Sequence, residues 1–318
     1  MATYCTYFDH RYVPRGIAMI DSLLAYTPDS DVWVLALNDL ALELIQARYD
    51  DRVKLVAIVD FEDAMSPIAD LRARRSPVEY IFTCTAAWVR YVMDATSRKG
   101  ELVTYLDADL WFFGSPEALE KSLDGSSVAI TPHRYPRTLR RHEKYGVYNV
   151  GWVSFRDDER GRTCLHWWDD SCRRWCFDRV EGTLFADQGY LNDFGKVTDG
   201  VMVIDDPGAN LAPWNLASHR LTSDGQTVRV DGSPLLFFHF HGITRSGGRF
   251  YVKHLQYHAR STSLIRDEIY QPYLQSLTAV ERDLKNHAAM GPADSSRDVP
   301  ALWKRAVARA VGDSLTLP

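Results

Sequence analysis

The sequence predicts an α/β chain built on a mainly parallel central sheet with flanking helices. Three observations carry this expectation. Short apolar runs alternate with helix-period segments through the first 107 residues, an alternation that favours parallel strands joined by right-handed crossovers. One of those runs, Val53–Val59, is continuous and β-branched, as in a strand buried on both faces. Asp107 and Asp109 fall just past the fourth run, where open parallel sheets receive their ligands.

Taken in order, Thr3–Phe8 is the first strand, followed by a helix over Gly16–Tyr26 with Ile17, Ile20 and Leu24 on one face. Val32–Leu37 is the second strand, and Asn38 caps a helix that runs to Tyr49. After Val53–Val59 come a helix over Val78–Asp94 and a strand over Leu102–Leu106. Beyond Asp109 the pattern loosens. Strands are expected at Ser127–Thr131, Tyr148–Phe155, Val201–Ile204, Thr227–Val230 and Leu235–Phe240, with an aromatic-rich helix at Asp158–Phe177. From Thr262 the chain turns helical and polar, loosens at Gly291–Val299 and ends in a basic amphipathic segment, Ala301–Val311. We therefore expect one catalytic-type domain over residues 1–260 and a C-terminal helical extension over 261–318.

Composition narrows the function classes. With 318 residues, 46% of them hydrophobic, the chain can bury a large core. A net charge of -5 argues against a nucleic-acid partner, which calls for a basic surplus. No stretch approaches the roughly 18 apolar residues of a membrane span, and the first residues show no signal-peptide pattern. Of five cysteines, Cys164, Cys172 and Cys176 cluster without a zinc-type spacing. Reduced, buried thiols suit a cytoplasmic protein, and the basic C-terminal segment is compatible with weak peripheral contact at the inner face of a membrane.

Asp107-Ala108-Asp109 puts two carboxylates on one turn. Left alone they repel, and each raises the other's pKa. A divalent cation such as Mn²⁺ or Mg²⁺ relieves the repulsion and takes carboxylates together with phosphate oxygens. A bare Asp-x-Asp is also a common solvated loop, so its context decides. Here the strand Leu102–Leu106, the acidic turn, the aromatic run Trp111-Phe112-Phe113 and the Ser115-Pro116 helix start stand together.

Three further segments follow in order: Tyr148-Asn149-Val150-Gly151-Trp152, Ala186-Asp187-Gln188-Gly189-Tyr190, and Phe238-His239-Phe240-His241-Gly242. With the Leu-Asp-x-Asp segment, they resemble the motifs of GT-A glycosyltransferases, family 8 in particular, over roughly Thr3–Gly242. The resemblance implies the GT-A fold, a Rossmann-like and mainly parallel sheet, and transfer of a sugar from a nucleotide-diphosphate donor with retention at the anomeric carbon. It implies Asp107, Asp109 and His239 as metal ligands, with His241 the competing histidine. It places Asn149 and Gly151 at the donor sugar, and Asp187 and Gln188 beside the anomeric carbon. Thr6, Tyr7, Phe8 and Asp9 would receive the nucleobase, while Ala108 and Gly242 would line the donor site.

One departure stands out. The family's His-x-x-Gly is followed by a lysine that reaches the diphosphate, whereas this chain continues Ile243-Thr244-Arg245-Ser246-Gly247-Gly248-Arg249. Arg245, or Arg249, is the replacement nearest in sequence, although a guanidinium fork differs from an ammonium point charge. The expected partners are a nucleotide-sugar donor and a carbohydrate, lipid-linked or protein acceptor.

Other features carry two readings. His133–Tyr145 is a dense basic loop, either a solvated face or a segment over the site that meets the diphosphate or an acidic acceptor. Trp152, Trp167, Trp168 and Trp175 offer stacking surface for a sugar, but the helical spacing of Leu165, Trp168, Cys172 and Trp175 favours core packing, whereas Asn210–Asn215 has the composition of a sugar platform. The alternatives to a glycosyltransferase are a sugar-nucleotide nucleotidyltransferase and a non-catalytic sugar-nucleotide-binding protein. The chain lacks the Gly-rich phosphate loop of the former, and a relic has no reason to keep its metal ligands. Neither G-x-G-x-x-G nor a P-loop motif occurs.

Overall fold

The structure, a computed structural model, describes residues 2–49, 51–246, 248–287 and 302–317. Its first half runs β1 (Thr3–Phe8), α1 (Val13–Tyr26), β2 (Asp31–Ala36), α2 (Asp39–Arg48), β3 (Val53–Ala57), α3 (Ile58–Ala64), α4 (Pro77–Thr96) and β4 (Leu102–Leu106). Then come β5 (Leu110–Phe112), α5 (Glu117–Ser122), β6 (Val128–Pro132), β7 (Tyr148–Arg156), α6 (Glu159–Arg174), α7 (Phe194–Val197) and β8 (Val201–Val203). Short strands β9 (Leu221–Ser223), β10 (Val228–Val230), β11 (Ser233–Pro234), β12 (Phe237–His239), β13 (Thr244–Ser246) and β14 (Arg249–Tyr251) follow. The last elements are α8 (Gln271–His287), α9 (Leu302–Ala310) and β15 (Ser314–Leu315).

The main sheet has the order β3-β2-β1-β4-β7-β6-β8. Only β7 runs against its neighbours, so the mainly parallel sheet expected from sequence is present. β1 explains why both faces must be covered. Cys5 and Tyr7 point into a core shared with Trp88 and Val92 of α4 and Leu165 and Trp168 of α6. Tyr4 and Phe8 point the other way, onto Ile17, Ile20 and Leu24 of α1 and Leu44 and Ile45 of α2. A period-two strand with apolar side chains on both faces is stable only between two helical layers.

Local chemistry fixes the helix starts. Asn38 accepts from Ala41 N at 2.9 Å at the head of α2. Ser76 and Glu79 form a reciprocal capping box on α4, and Asp158 accepts from Gly161 N at 2.7 Å on α6. Each such cap contributes about 1 kcal/mol.

Three expectations differ in detail. The strand Val53–Val59 stops at Ala57, because Ile58 and Phe61 take the buried face of α3; tertiary burial there overrides β-branched propensity. The basic loop folds into a 3₁₀ helix, Arg137–Tyr145, around the buried Leu139. The aromatic-rich helix ends at Arg174, and Trp168 is core, stacked on Phe155 at 5.7 Å. All five cysteines are free and buried. The loosening expected at Gly291–Val299 lies outside the described residues. Among the described residues, no helix is long and apolar enough to cross a membrane.

Candidate functional site

The Asp-Ala-Asp turn leaves the carboxyl end of β4 and is clamped from two sides. On one side β7 pairs with β4, Leu106 opposite Trp152, and Asp107 N donates to the Gly151 carbonyl at 3.1 Å. On the other, β5 pairs antiparallel with β12, so His239 lies opposite Leu110, and Phe240 N donates to the Asp109 carbonyl at 2.8 Å. Below the turn, Trp152 stacks on Phe237 at 5.3 Å and leans on Phe112. This two-stranded ladder delivers a histidine from far along the chain to the two aspartates. The alternation expected in the last segment holds: Phe238 and Phe240 meet at 4.6 Å beside Tyr270, with His239 and His241 on the other face.

His239 Nε2 lies 2.9 Å from Asp109 Oδ1 and 3.6 Å from Asp107 Oδ2. One donor atom from each of the three side chains lies within 4.8 Å of the others. Two donors at ~2.1 Å from one ion and at right angles stand roughly 3.0 Å apart, so the cluster has the size of a divalent-ion site. Two carboxylates and an imidazole suit Mg²⁺ or Mn²⁺.

The electrostatics point the same way. Burial raises the Asp107 carboxyl above its ordinary range, against the pull of His239. Burial also acts on Asp109, but the His239 contact outweighs it and holds that carboxyl below its usual value. Burial alone would lower His239, yet Asp109 and then Asp107 keep its ring above the ordinary value. The three groups thus share positive charge that a cation can supply directly. His241 is different: burial lowers it to about 4, and its ring packs edge-on to Trp214 at 5.6 Å.

Gly151 makes the close approach possible. A Cβ there would lie 2.6 Å from Asn149 Oδ1 and 2.8 Å from His239 Nδ1. Asn149 accepts from Gly151 N at 3.0 Å and donates to Gln188 Oε1 at 3.1 Å, while Gln188 Nε2 donates to the Tyr145 carbonyl at 2.8 Å. Asn149, Gly151 and Gln188 are therefore one connected group beside the triad. Asp187 is buried beneath it, and burial pushes its carboxyl up to about 7, a rise that Thr85 opposes. Its carbonyl accepts from Trp168 Nε1 at 2.9 Å.

The other expected site residues lie as follows. Thr6, Tyr7 and Phe8 are buried in β1; Tyr7 bonds Thr85 at 2.7 Å, and Phe8 packs against Gly16. Asp9, expected with them at the nucleobase, lies in the turn at the open end of β1, where it accepts from Arg11 N and Tyr12 N, with Tyr12 exposed above it. Ala108 is buried within the acidic turn. Arg245 is committed to Glu281 at 2.6 Å and lies over the Phe250 ring, and Arg249 is bonded to Ser314.

The cation that does reach Gly242 is Lys253. A Cβ at Gly242 would lie 2.9 Å from Lys253 Nζ, and Gly242 has φ +72. Lys253 also depresses His241. The hairpin β13–β14 separates Lys253 from Gly242 in sequence and then brings it back in space, so no linear spacing marked it. Tyr105, whose OH donates to Asp107 Oδ1 at 3.0 Å, and Arg15, close to Asp109 and bonded to the Ile243 carbonyl at 3.1 Å, also went unmarked. In the Asn210–Asn215 loop, Asn215 is spent on backbone groups of Ala212, His133 and Asn210, and Trp214 packs on His239 at 4.9 Å.

No family model matches the chain. It is 29% identical over 251 residues to the uncharacterized protein YfnF of Bacillus subtilis (strain 168), covering 76% of this chain and 81% of that one. It is 26% identical over 277 residues to the uncharacterized protein YfnD of the same organism, covering 86% and 88%. Among solved structures, the galactosyltransferase LgtC in complex with donor and acceptor sugar analogs superposes with a TM-score of 0.53 at 15% identity, over 95% of this chain and 99% of that one. An active-site mutant of LgtC gives a TM-score of 0.50 at 13% identity, with the same coverage. The fold is the GT-A fold of these glycosyltransferases, as the motifs implied.

Proposed function

We propose that the chain transfers a sugar from a nucleotide-diphosphate donor to a carbohydrate acceptor, with retention and in dependence on Mn²⁺ or Mg²⁺. The observation that carries this reading is the Asp107–Asp109–His239 cluster at the carboxyl end of β4, directly beside the Asn149–Gln188 pair. LgtC, of the same fold, is described with donor and acceptor sugar analogs, which agrees with both partners.

A divalent ion held by the cluster would neutralise charge on the departing diphosphate. Lys253 adds an ammonium on the same side. The nucleoside lies over the Asp9–Tyr12 turn, and the sugar extends toward Asn149 and Gln188, whose mutual hydrogen bond fixes both amides. The bond from the anomeric carbon to the diphosphate oxygen breaks, and its electron pair leaves with the nucleoside diphosphate. The acceptor hydroxyl bonds to that carbon and passes its proton to the departing diphosphate oxygen on the same face. Asp187 is buried beside the Asn149–Gln188 pair, and burial pushes its carboxyl up to about 7. We also propose weak peripheral membrane contact through α9, which exposes Trp303 and Val307 near Lys304 and Arg309.

The test is product analysis with a panel of nucleotide sugars and Mn²⁺. Nucleoside diphosphate should appear, and both excess chelator and Asp109→Asn should abolish it while the folded state survives. Pyrophosphate without nucleoside diphosphate would identify a nucleotidyltransferase instead, and full activity in chelator would remove the metal from the mechanism.

A further inference from the structure

The 3₁₀ helix Arg137–Tyr145 buries Leu139 and turns Arg137, Arg140, Arg141 and Lys144 to solvent. None of these four cations is ion-paired among the described residues. In a chain of net charge -5, this is a local reversal of sign. A charged face of this kind is commonly only a solvated surface. Its position argues otherwise.

The helix joins β6 to β7 and ends against the proposed reaction centre, where the Tyr145 carbonyl accepts from Gln188 and Val147 N donates to Asn192. A row of rings links it to His241, 6.4 Å from His239 of the cluster. His241 meets Tyr257 at 6.4 Å, Tyr257 meets His142 at 6.2 Å, His142 meets Tyr145 at 6.1 Å, and Tyr145 meets Phe185 at 4.9 Å. The field along this row is positive: after burial, Arg141, Lys144 and His258 press His142 below its ordinary value.

Sheet order then decides which substrate faces the helix. On the glycosyltransferase reading, the nucleotide half of a donor lies over β1 and β4, whereas β6 and the helix stand on the other side of β7. The four cations, on the helix that joins β6 to β7, then stand nearer the sugar end of the donor than its nucleotide end. Rings supply stacking surface for a saccharide, and guanidinium groups supply charge-assisted bonds to phosphate or carboxylate. A lipid surface fits less well, because the helix keeps its aliphatic residue, Leu139, buried.

We propose that the basic helix Arg137–Tyr145 and the adjoining rings bind an anionic saccharide acceptor, one bearing phosphate or carboxylate groups. This rests on the glycosyltransferase reading above.

The experiment measures binding to full-length protein with Mn²⁺ present, using four probes: oligogalacturonate, a phosphorylated mannan oligosaccharide, neutral maltohexaose, and phosphatidylglycerol vesicles. The variant carries Arg137→Gln, Arg140→Gln, Arg141→Gln and Lys144→Gln; the double variant Arg140→Gln/Arg141→Gln serves if the quadruple one folds poorly. The expected result is binding of at least one charged oligosaccharide that weakens with salt, and that weakens about tenfold in the quadruple variant. Whether the phosphate or the carboxylate probe binds identifies the anion. Stabilisation by nucleoside diphosphate and Mn²⁺ should be unchanged in the variants, because these residues do not touch the donor. Equal binding of maltohexaose, binding of vesicles alone, binding of no probe, or an unaffected variant would overturn the proposal. If wild type shows no nucleotide-dependent stabilisation, the glycosyltransferase reading itself fails, and the saccharide arms still report on this helix separately.

Discussion

Gly151→Ala tests the site with a single methyl group. The added Cβ would stand 2.8 Å from His239 Nδ1 and 2.6 Å from Asn149 Oδ1. Ordinary contact begins near 3.4 Å, so the two groups must retreat by roughly 0.6 and 0.8 Å. Neither moves easily. His239 is buried against Trp214 and tied to Asp109 at 2.9 Å, and Asn149 is bonded on both sides of its amide. Overpacking of this kind costs about 1–3 kcal/mol. Metal sites tolerate only ~0.2 Å of ligand displacement, and disturbed supporting contacts lower metal affinity by about 10–100-fold. Differential scanning fluorimetry with a Mn²⁺ titration reads both effects. The apo protein should melt about 1.5–4.5 °C lower, and the Mn²⁺ midpoint should rise at least tenfold. A variant that loses thermal stability but keeps the wild-type Mn²⁺ midpoint would refute the reasoning, because His239 would then not be a ligand.

Five further variants test the same geometry. Asp109→Asn should abolish Mn²⁺-dependent stabilisation, as measured by the same fluorimetry. Lys253→Met should weaken nucleoside diphosphate binding about tenfold in titration calorimetry, whereas Arg245→Met should leave it unchanged and cost only about 0.5 kcal/mol by breaking the half-exposed pair with Glu281. Asp313→Ala removes the acceptor for Ser261 Oγ at 2.5 Å and Leu255 N at 2.8 Å; it should destabilise by about 2 kcal/mol in urea melts. It should also speed hydrogen exchange at Leu255, two residues after Lys253. Gly161→Ala places a Cβ 2.1 Å from the Arg156 carbonyl and should cost about 1–3 kcal/mol in the same melts, without altering Mn²⁺ binding.

The sequence made local features legible and left distant ones hidden. Asn38, Ser76 with Glu79, and Asp158 announce helix starts because a cap is a contact between near neighbours. The four parallel strands through Leu106 were visible for a similar reason, since burial on both faces imposes a continuous apolar run. Ile58 was misread because its β-branched type favours a strand, while the face it shares with Phe61 makes it helical. His239 was recognisable only through the order of motifs; its meeting with Asp109 depends on β5 pairing with β12, which no spacing reveals. Lys253 was missed for the opposite reason: Arg245 and Arg249 lie nearer Gly242 in sequence, but both are held by Glu281 and Ser314. The buried fate of Phe8 likewise follows from α1 folding over it at Gly16, a contact between elements.

The most direct measurement of the central claim is a thermal-shift panel of nucleoside diphosphates, each with and without Mn²⁺. If Asp107, Asp109 and His239 hold a cation that grips a diphosphate, one nucleoside diphosphate together with Mn²⁺ should raise the melting temperature by about 4 °C or more at a hundredfold excess over its dissociation constant. Neither should achieve that rise alone, and Asp109→Asn should lose it. A flat response across the whole panel, or the same stabilisation in chelator, would contradict the account.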